Sequence, residues 1–123
     1  MTAPTRGIIL FAHGSRDPLW SRPIEAIAAR ITALEPSAAV QCAYLELMQP
    51  DLATAVQTLA SQGVLEVRVV PMFLGVGKHA RQDLPALVQA LAQEHPHIRL
   101  DLEPAIGEHP RVVDLMAHIA LGE

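Results

Sequence analysis

Short runs of apolar residues alternate along this chain with longer stretches in which apolar residues recur every three or four positions. Runs of four to eight apolar residues are typical of strands buried on both faces, whereas the longer spacing is typical of amphipathic helices. The last run alternates apolar and polar residues, as an edge strand does. The pattern predicts strands at Gly7–Ala12, Ala38–Leu47, Val64–Leu74 and Ile98–Leu102. Pro71 is expected at the end of the third strand or at a bulge, because it has no amide hydrogen to donate.

Four helices are predicted between and after these strands. Proline lacks the helical donor and clashes with the preceding turn, so Pro85 is expected in the first turn of the third helix. The segment Gly75–His79 before it is expected to be a flexible connection, and Pro104–Pro110 a loop. Caps and prolines place the first helix between Asp17-Pro18 and Pro36 and the second from Pro50-Asp51 to a capping Gly63. The third carries apolar residues from Leu84 to Ala92 and ends at His95-Pro96, and the last covers Val112–Leu121.

The alternation of strands and helices predicts an α/β fold, a single doubly wound domain over residues 1–123. It has a four-stranded parallel sheet with helices on both faces and right-handed crossovers. The common strand order 2-1-3-4 makes strands one and three neighbours at the point where the order reverses. Ligands of such sheets bind there, outside the carboxyl ends of the strands.

Composition excludes several classes of protein. Half of the 123 residues are hydrophobic and 18% are charged, which is enough apolar material for a packed core and unlike a disordered chain. Nine basic against thirteen acidic residues give a net charge of −4, which argues against a general nucleic-acid binder. Aromatic residues make up only 3% of the chain, so platforms that stack single-stranded bases are not expected.

The cysteine content and the absence of long apolar stretches indicate the compartment. A single cysteine, Cys42, excludes an internal disulfide framework and fits a reducing cytosol. The apolar run Gly7–Ala12 is far too short to cross a bilayer. Residues Met1–Arg6 carry one basic residue and no apolar core, unlike an export signal. We therefore expect a cytoplasmic protein that has no membrane partner.

Two histidines follow the two strands that should be neighbours. His13 ends strand one and His79 follows strand three, so both imidazoles are expected to face one cleft. Imidazole binds divalent Co, Ni, Fe, Cu and Zn and titrates near neutral pH, so the pair suits either metal binding or proton transfer. The alternative is that each is an ordinary loop residue, and that Gly14 and Ser15 only form a turn and cap a helix.

Other sequence features give weaker signals. Gly75-x-Gly77-Lys78 lacks the full P-loop pattern, no Gly-x-Gly-x-x-Gly is present, and the Ser15 hydroxyl lacks a nucleophile elbow. Cys42 has no second cysteine beside it and is assigned to the core. Of the remaining histidines, His109 follows strand four and is a candidate for an outer position in the site. The other three are assigned to turns or surface: His95, His97 and His118.

In combination, four segments resemble the small CbiX proteins, the sirohydrochlorin cobaltochelatases of the class II chelatases. They run in order over nearly the whole chain: Phe11-Ala-His-Gly-Ser-Arg-Asp17, Ala43-Tyr-Leu-Glu-Leu-Met-Gln-Pro50, Val70-Pro-Met-Phe-Leu-Gly-Val-Gly-Lys-His79 with Asp83-Leu84-Pro85, and more weakly Gly107-Glu-His-Pro110.

The resemblance implies a function and a set of site residues. These enzymes insert a divalent metal into a modified tetrapyrrole, without ATP in the small class. His13 matches the catalytic histidine, taken as proton acceptor and metal ligand, and His79 matches the second ligand. Glu46 matches an acidic residue that lines the tetrapyrrole site. The segment that passes along the macrocycle is matched by Leu74, Gly75, Val76, Gly77 and Lys78. The short chains are expected to pair as homodimers.

Elementary chemistry agrees with this resemblance. Insertion strips water from the metal ion and removes two pyrrole N–H protons, and neutral imidazoles suit both tasks. Glu46 either accepts a proton or orients a histidine, or else it is a solvated charge at a strand end. Sirohydrochlorin carries many carboxylates, which Arg16, Lys78 and Arg81 can bind unless they are ordinary surface charges. An apolar slot for the ring is expected from Leu74, Val76, Met72 and Met48.

The sequence therefore predicts a chelatase that inserts Co²⁺, Ni²⁺ or Fe²⁺ into sirohydrochlorin, for cobalamin or siroheme-type biosynthesis. The divalent ion is its substrate, and no cofactor beyond it is expected. The alternative is a carrier that binds a metal or a tetrapyrrole without turnover. A small phosphate-binding domain is disfavoured by the incomplete glycine motifs.

Overall fold

The computed structural model describes residues 6–123, and its elements follow the predicted order. The expectation about an export signal concerns residues 1–5 above all, which lie outside the described residues. Four strands and four α-helices alternate, and a short 3₁₀ helix, Ile106–Glu108, precedes the last helix. The strands are β1 (Arg6–Ala12), β2 (Ala39–Tyr44), β3 (Glu66–Pro71) and β4 (Arg99–Leu102), and the helices are α1 (Arg22–Leu34), α2 (Leu52–Ser61), α3 (Lys78–Glu94) and α4 (Pro110–Leu121).

The four strands form one parallel sheet in the order β2-β1-β3-β4, which confirms the predicted fold and topology. In the register of the sheet, Leu10 on β1 lies opposite Cys42 on β2 and Val70 on β3. The strand β4 lies at an edge beside β3, as its alternating sequence indicates. Strands β1 and β3 are neighbours, so their carboxyl ends open onto the same edge of the sheet.

Alternating side chains of the strands pack into two apolar layers, one on each face of the sheet. Ile9 and Phe11 point into the larger layer, which α2 and α3 cover. Ile8 and Leu10 point the other way, toward α1, whose apolar stripe is only partly buried. Helix α4 contributes no buried residue and packs mainly against the short 3₁₀ helix. Within residues 6–123, no helix combines the length and the apolarity needed to cross a bilayer.

The predicted start of the first helix is wrong. The Asp17 carboxylate accepts a hydrogen bond from the Leu19 amide at 2.9 Å, and the Trp20 amide bonds to the Asp17 carbonyl. Asp17 and Pro18 therefore form a turn, and α1 begins at Arg22. The Asx side chain that caps helices also closes turns, so this local signal fits both structures.

The predictions around α3 also need correction. The helix begins at Lys78, so Lys78 and His79 belong to its first turn and not to a flexible connection. Pro85 lies inside the helix, where it removes the amide that would bond to the carbonyl of Arg81. Leu84 and Val88 on either side of it are buried in the larger layer, and their burial stabilises the helix across the proline.

Several local predictions are confirmed. Pro71 is the last residue of β3, where it removes no ladder bond from the strand interior. The Asp51 side chain accepts a hydrogen bond from the Thr54 amide at 2.8 Å and caps α2. Gly63 follows that helix with φ 82°, the left-handed conformation for which glycine is suited. The second and third strands are shorter than predicted, and β2 ends at Tyr44.

Candidate functional site

Three loops meet at the carboxyl edge of the sheet, because backbone hydrogen bonds continue beyond the strands. The Leu45 amide donates to the Ala12 carbonyl at 2.9 Å, and the Glu46 amide donates to the His13 carbonyl at 3.1 Å. On the other side of β1, the Met72 amide donates to the Phe11 carbonyl at 2.7 Å. The segments that follow β2 and β3 are thereby fixed beside the His13 loop.

Gly14 permits the closest of these approaches. It adopts φ 95°, a conformation that L side chains rarely take, and a Cβ at this position would overlap the carbonyl oxygen of Glu46. On the facing loop, Leu47 also has a positive φ, 66°. The Ser15 hydroxyl accepts a hydrogen bond from the Asp17 amide at 3.0 Å. Gly14 and Ser15 thus form a turn, which sets the direction in which His13 leaves the sheet.

The imidazole of His13 stacks on the ring of Phe73, with ring centroids 4.4 Å apart and an interplanar angle of 35°. His13 is solvent-exposed, whereas Phe73 is buried and meets Phe11 edge-on at 6.2 Å. The face of Phe73 therefore supports an imidazole that is accessible from outside. Stacking of this kind favours one ring orientation without occupying either nitrogen.

His79 shares a cavity with Phe73. It stands in the first turn of α3 and lines a cavity of about 220 Å³ whose wall includes Phe11 and Phe73. Phe73 thus contacts the His13 ring and shares a cavity with His79, although His13 itself is not among the residues that line this cavity. The remaining lining is mostly apolar: Leu45, Ala80, Asp83, Leu84 and Leu87.

Residues 6–123 do not form a complete metal cage. In the described part of the chain, His, Cys, Asp and Glu side chains do not assemble into any group of three or more that could hold a metal ion. The backbone of Glu46 adjoins His13, and its side chain is exposed. The arrangement offers two separate imidazoles and a nearby carboxylate at an open, partly apolar surface. Such a surface leaves coordination positions for water or for a ligand.

The segment from Leu74 to Lys78 is fixed at one end and open in the middle. A Cβ at Gly107 would overlap the backbone of Leu74, and the Gly107 amide donates to the Phe73 carbonyl at 2.9 Å. Val76 packs against the larger core layer. Gly75 and Gly77 face open space, and Gly77 is the N-cap of α3. The segment therefore crosses the edge of the sheet with its glycines uncovered.

The three basic residues predicted at the site are all exposed, and none has an ion-pair partner among residues 6–123. Arg16 follows the His13 turn, and Lys78 begins α3 next to His79. Arg81 lies on a different flank of α3, where it lines a separate cavity of about 170 Å³ with Glu103 and Glu108. Arg16 and Lys78 adjoin the histidine loops, whereas Arg81 does not share the cavity of His79.

Two of the side chains predicted to form an apolar slot are partly covered by the fold. Met72 packs with the smaller core layer, on the α1 face, and Met48 is half-buried. The exposed apolar side chains at this edge are instead leucines that follow β2, β3 and the start of α3. They are Leu45 (51% exposed), Leu47 (55%), Leu74 (67%) and Leu87 (39%). Of these, only Leu74 was expected, because exposure of the others depends on contacts between distant loops.

Cys42, His109 and His118 do not line the cavity of His79. Cys42 is half-buried against the smaller layer, and burial raises the pKa of its thiol, with the nearby Glu25 adding to the effect. Its assignment to packing is therefore supported. His109 caps α4 by accepting a hydrogen bond from the Arg111 amide at 3.1 Å, and His118 lies within 3.6 Å of Asp114.

Comparison with known proteins identifies a family. The family model named CbiX matches residues 7–120. A CbiX protein of Marinobacter aquaeolei VT8, described in connection with cobalamin (vitamin B12) biosynthesis, has a solved structure. It superposes with a TM-score of 0.81 at 37% identity, with 95% of each chain covered.

Two further relatives carry the names of chelatases. The sirohydrochlorin chelatase SirB of Bacillus subtilis subspecies spizizenii, solved in complex with cobalt, has a TM-score of 0.79 at 26% identity. The match covers 96% of this chain and 50% of SirB. The sirohydrochlorin cobaltochelatase of Methanopyrus kandleri is 33% identical over 81 residues, covering 66% of this chain and 57% of that protein. The chain spans only 36% to 57% of the length of three curated relatives, two named cobaltochelatase and one ferrochelatase.

Proposed function

We propose that this chain, which belongs to the CbiX family, is an enzyme that inserts a divalent metal ion into sirohydrochlorin. The observation that carries this proposal is the position of Phe73, whose ring stacks with His13 and lines the same hollow as His79. The names of the curated relatives support the substrate, since both cobalt and iron chelatases of sirohydrochlorin occur among them.

The two histidines are assigned to the metal ion. A hydrated divalent ion must lose water before pyrrole nitrogens can bind it, and imidazoles can replace that water one ligand at a time. His13 is proposed as a metal ligand and as a base, and His79 as the second ligand. The open surface around them suits a ligand set that must release its ion, because a closed cage would retain the metal.

Glu46 is assigned to the tetrapyrrole side of the site. Its backbone is tied to His13, so its carboxylate leaves the chain next to the proposed base. A carboxylate there can accept a hydrogen bond from a pyrrole N–H or hold the imidazole in one tautomer. The first role needs a side chain that the substrate can reach, and Glu46 is exposed.

The macrocycle is proposed to lie along the segment Leu74–Lys78 and the exposed leucines. Flat apolar rings bind to apolar walls, and Gly75 and Gly77 leave space next to the backbone for a close approach. Arg16 and Lys78 are proposed to bind the substrate's carboxylates beside the two histidine loops. Arg81 lies on a different flank of α3 from His79 and is proposed to bind a carboxylate at the periphery of the ring.

The metal is proposed as substrate, with Co²⁺ first and Ni²⁺ or Fe²⁺ as the other candidates, and no further cofactor is invoked. Two imidazoles bind all three ions. The product would then serve cobalamin or siroheme-type biosynthesis. We place the reaction in the cytosol, where a free thiol such as that of Cys42 stays reduced.

The active form is proposed to be a homodimer. This chain covers half of SirB, so two copies provide about the same amount of structure as that relative. Helix α4 offers a surface for pairing, because it buries no residue within the chain and exposes an apolar stripe that includes Leu115, Met116 and Ile119. Exposed apolar stripes of this kind are typical of protein interfaces.

Turnover distinguishes the proposed enzyme from a carrier. Sirohydrochlorin is incubated without oxygen with Co²⁺ and one-hundredth of its concentration of protein, and the tetrapyrrole absorption spectrum is followed. The proposal predicts conversion of many equivalents of substrate per chain, above the rate without protein. A spectral change that stops at one equivalent would instead show a carrier, and no change with any of Co²⁺, Ni²⁺ or Fe²⁺ would refute the proposed function.

A further inference from the structure

A second carboxylate lies in the hollow beside His79. Asp83 follows His79 by four residues on α3, a spacing that places two side chains on the same face of a helix. Both line the cavity of about 220 Å³ whose other walls are Phe11, Phe73, Ala80 and three leucines. Asp83 is therefore the acidic member of an otherwise apolar wall that also carries a proposed metal ligand.

The Asp83 carboxylate has no structural task within the described residues. It is exposed, it makes no side-chain hydrogen bond there, and no cation lies within 4 Å of it. In particular, it is not ion-paired with His79, so it does not fix the tautomer of that ring. By contrast, Asp51 caps α2 and Glu103 is ion-paired with Arg68.

Metal insertion creates a need for such a group. A histidine that holds the metal uses the lone pair of its coordinating nitrogen, and that nitrogen cannot take a proton while the metal is bound. Two pyrrole N–H bonds break during insertion, each nitrogen keeps its electron pair to bind the metal, and two protons must leave. No electron is transferred. If His13 and His79 both hold the ion, a carboxylate beside His79 is well placed to accept a proton.

We infer that Asp83 is a proton acceptor for the pyrrole N–H groups, an inference that rests on the proposed function. It takes one proton from the ring as the metal–nitrogen bonds form and passes it to solvent through the open side of the cavity. The other proton goes to His13 once its coordinating nitrogen has released the metal to the ring, or leaves by Glu46 or directly to water.

Three variants test this role. Asp83→Asn removes the base and keeps the shape, and general-base catalysis of this kind contributes on the order of 10²-fold to a rate. We expect kcat for insertion to fall on that order, with KM for both substrates changed by less than about threefold. Asp83→Glu should keep most of the rate, and millimolar acetate should partly restore Asp83→Ala, because it supplies a carboxylate to the vacated space. Glu94→Gln, an exposed carboxylate in the last turn of the same helix, is the matched control.

The outcomes separate the two proposals. A wild-type protein with no insertion activity refutes the proposed function, whereas an active wild type with an unchanged Asp83→Asn refutes only the role of Asp83. A loss of kcat that neither Asp83→Glu nor acetate relieves shows a structural role and overturns the inference. The same holds if Asp83→Asn lowers the unfolding midpoint, which is measured for every variant by circular dichroism.

Discussion

The carbonyl oxygen of Glu46 occupies the space in which a side chain on Gly14 would begin. The amide of Glu46 donates a hydrogen bond to the carbonyl of His13, the residue before Gly14. The two loops are therefore held together at this point. The position of the proposed base therefore depends on a residue that has no side chain. It also depends on the left-handed backbone conformation of that residue, which glycine adopts without strain.

Gly14→Ala is expected to damage both the fold and the activity. A methyl group would overlap the Glu46 carbonyl, and a non-glycine residue in this conformation costs about 1–2 kcal/mol before that overlap is counted. We predict a loss of about 2 kcal/mol or more in the free energy of unfolding, measured in urea, and loss of insertion activity. Gly75→Ala is the control, because a Cβ there meets no atom within 4 Å, and its stability should stay within about 0.5 kcal/mol of wild type. Equal stability of the two variants would contradict this explanation of Gly14.

Pairing through α4 predicts that one charge on its apolar stripe produces monomers. Ile119 is 63% exposed within a single chain, so Ile119→Asp should leave the fold of each protomer intact. Sedimentation equilibrium should give a mass near twice 13.3 kDa for the wild type and near 13.3 kDa for the variant. Ala117→Asp adds the same charge beside Asp114, away from the stripe, and should remain dimeric. A monomeric wild type, or a variant that stays dimeric, would contradict this interface.

The cap of α2 predicts a pH dependence of stability. Hydrogen bonds from Thr54, from its side chain and its backbone amide, lower the pKa of the Asp51 carboxyl. A depressed pKa in the folded state means that the cap stabilises the protein above the unfolded-state pKa and loses this effect as pH falls through the folded-state pKa. Asp51→Ala should therefore cost about 1 kcal/mol at neutral pH and progressively less below about pH 4.

Asp51→Asn provides the control for this cap, because its amide oxygen still accepts the hydrogen bond and does not titrate. Its stability relative to Asp51→Ala, measured by urea unfolding between pH 2.5 and 7, should not change with pH in this range. A pH-independent difference between wild type and Asp51→Ala would contradict the assignment.

The fold could be predicted because the two faces of the sheet and the stripes of the helices impose regular spacings on the sequence. Burial of Ile9 and Phe11 on one face and of Leu10 on the other produces the continuous apolar run of β1. Helix limits were less predictable. The Asp17 side chain closes a turn and Pro85 is accommodated inside α3, and both outcomes depend on packing that a local signal does not contain.

The two histidines proposed for the site follow β1 and β3, and the sequence predicted correctly that these strands are neighbours. The contacts of other residues around these histidines could not be predicted. Phe73 reads as a core residue, and only the folded chain places its ring against His13. Gly107 lies more than thirty residues from Leu74, and Asp83 follows the histidine on a helix whose start was placed too late. These roles arise from contacts between distant loops.

The rate of metal insertion by histidine variants tests the central claim most directly. Initial rates with sirohydrochlorin and Co²⁺ are compared without oxygen for wild type, His13→Ala, His79→Ala and His97→Ala, the last being an exposed histidine in the turn between α3 and β4. We predict that the first two variants keep the wild-type unfolding midpoint and lose at least about 10²-fold in rate, while His97→Ala is unchanged. An unchanged initial rate for His13→Ala would contradict the account.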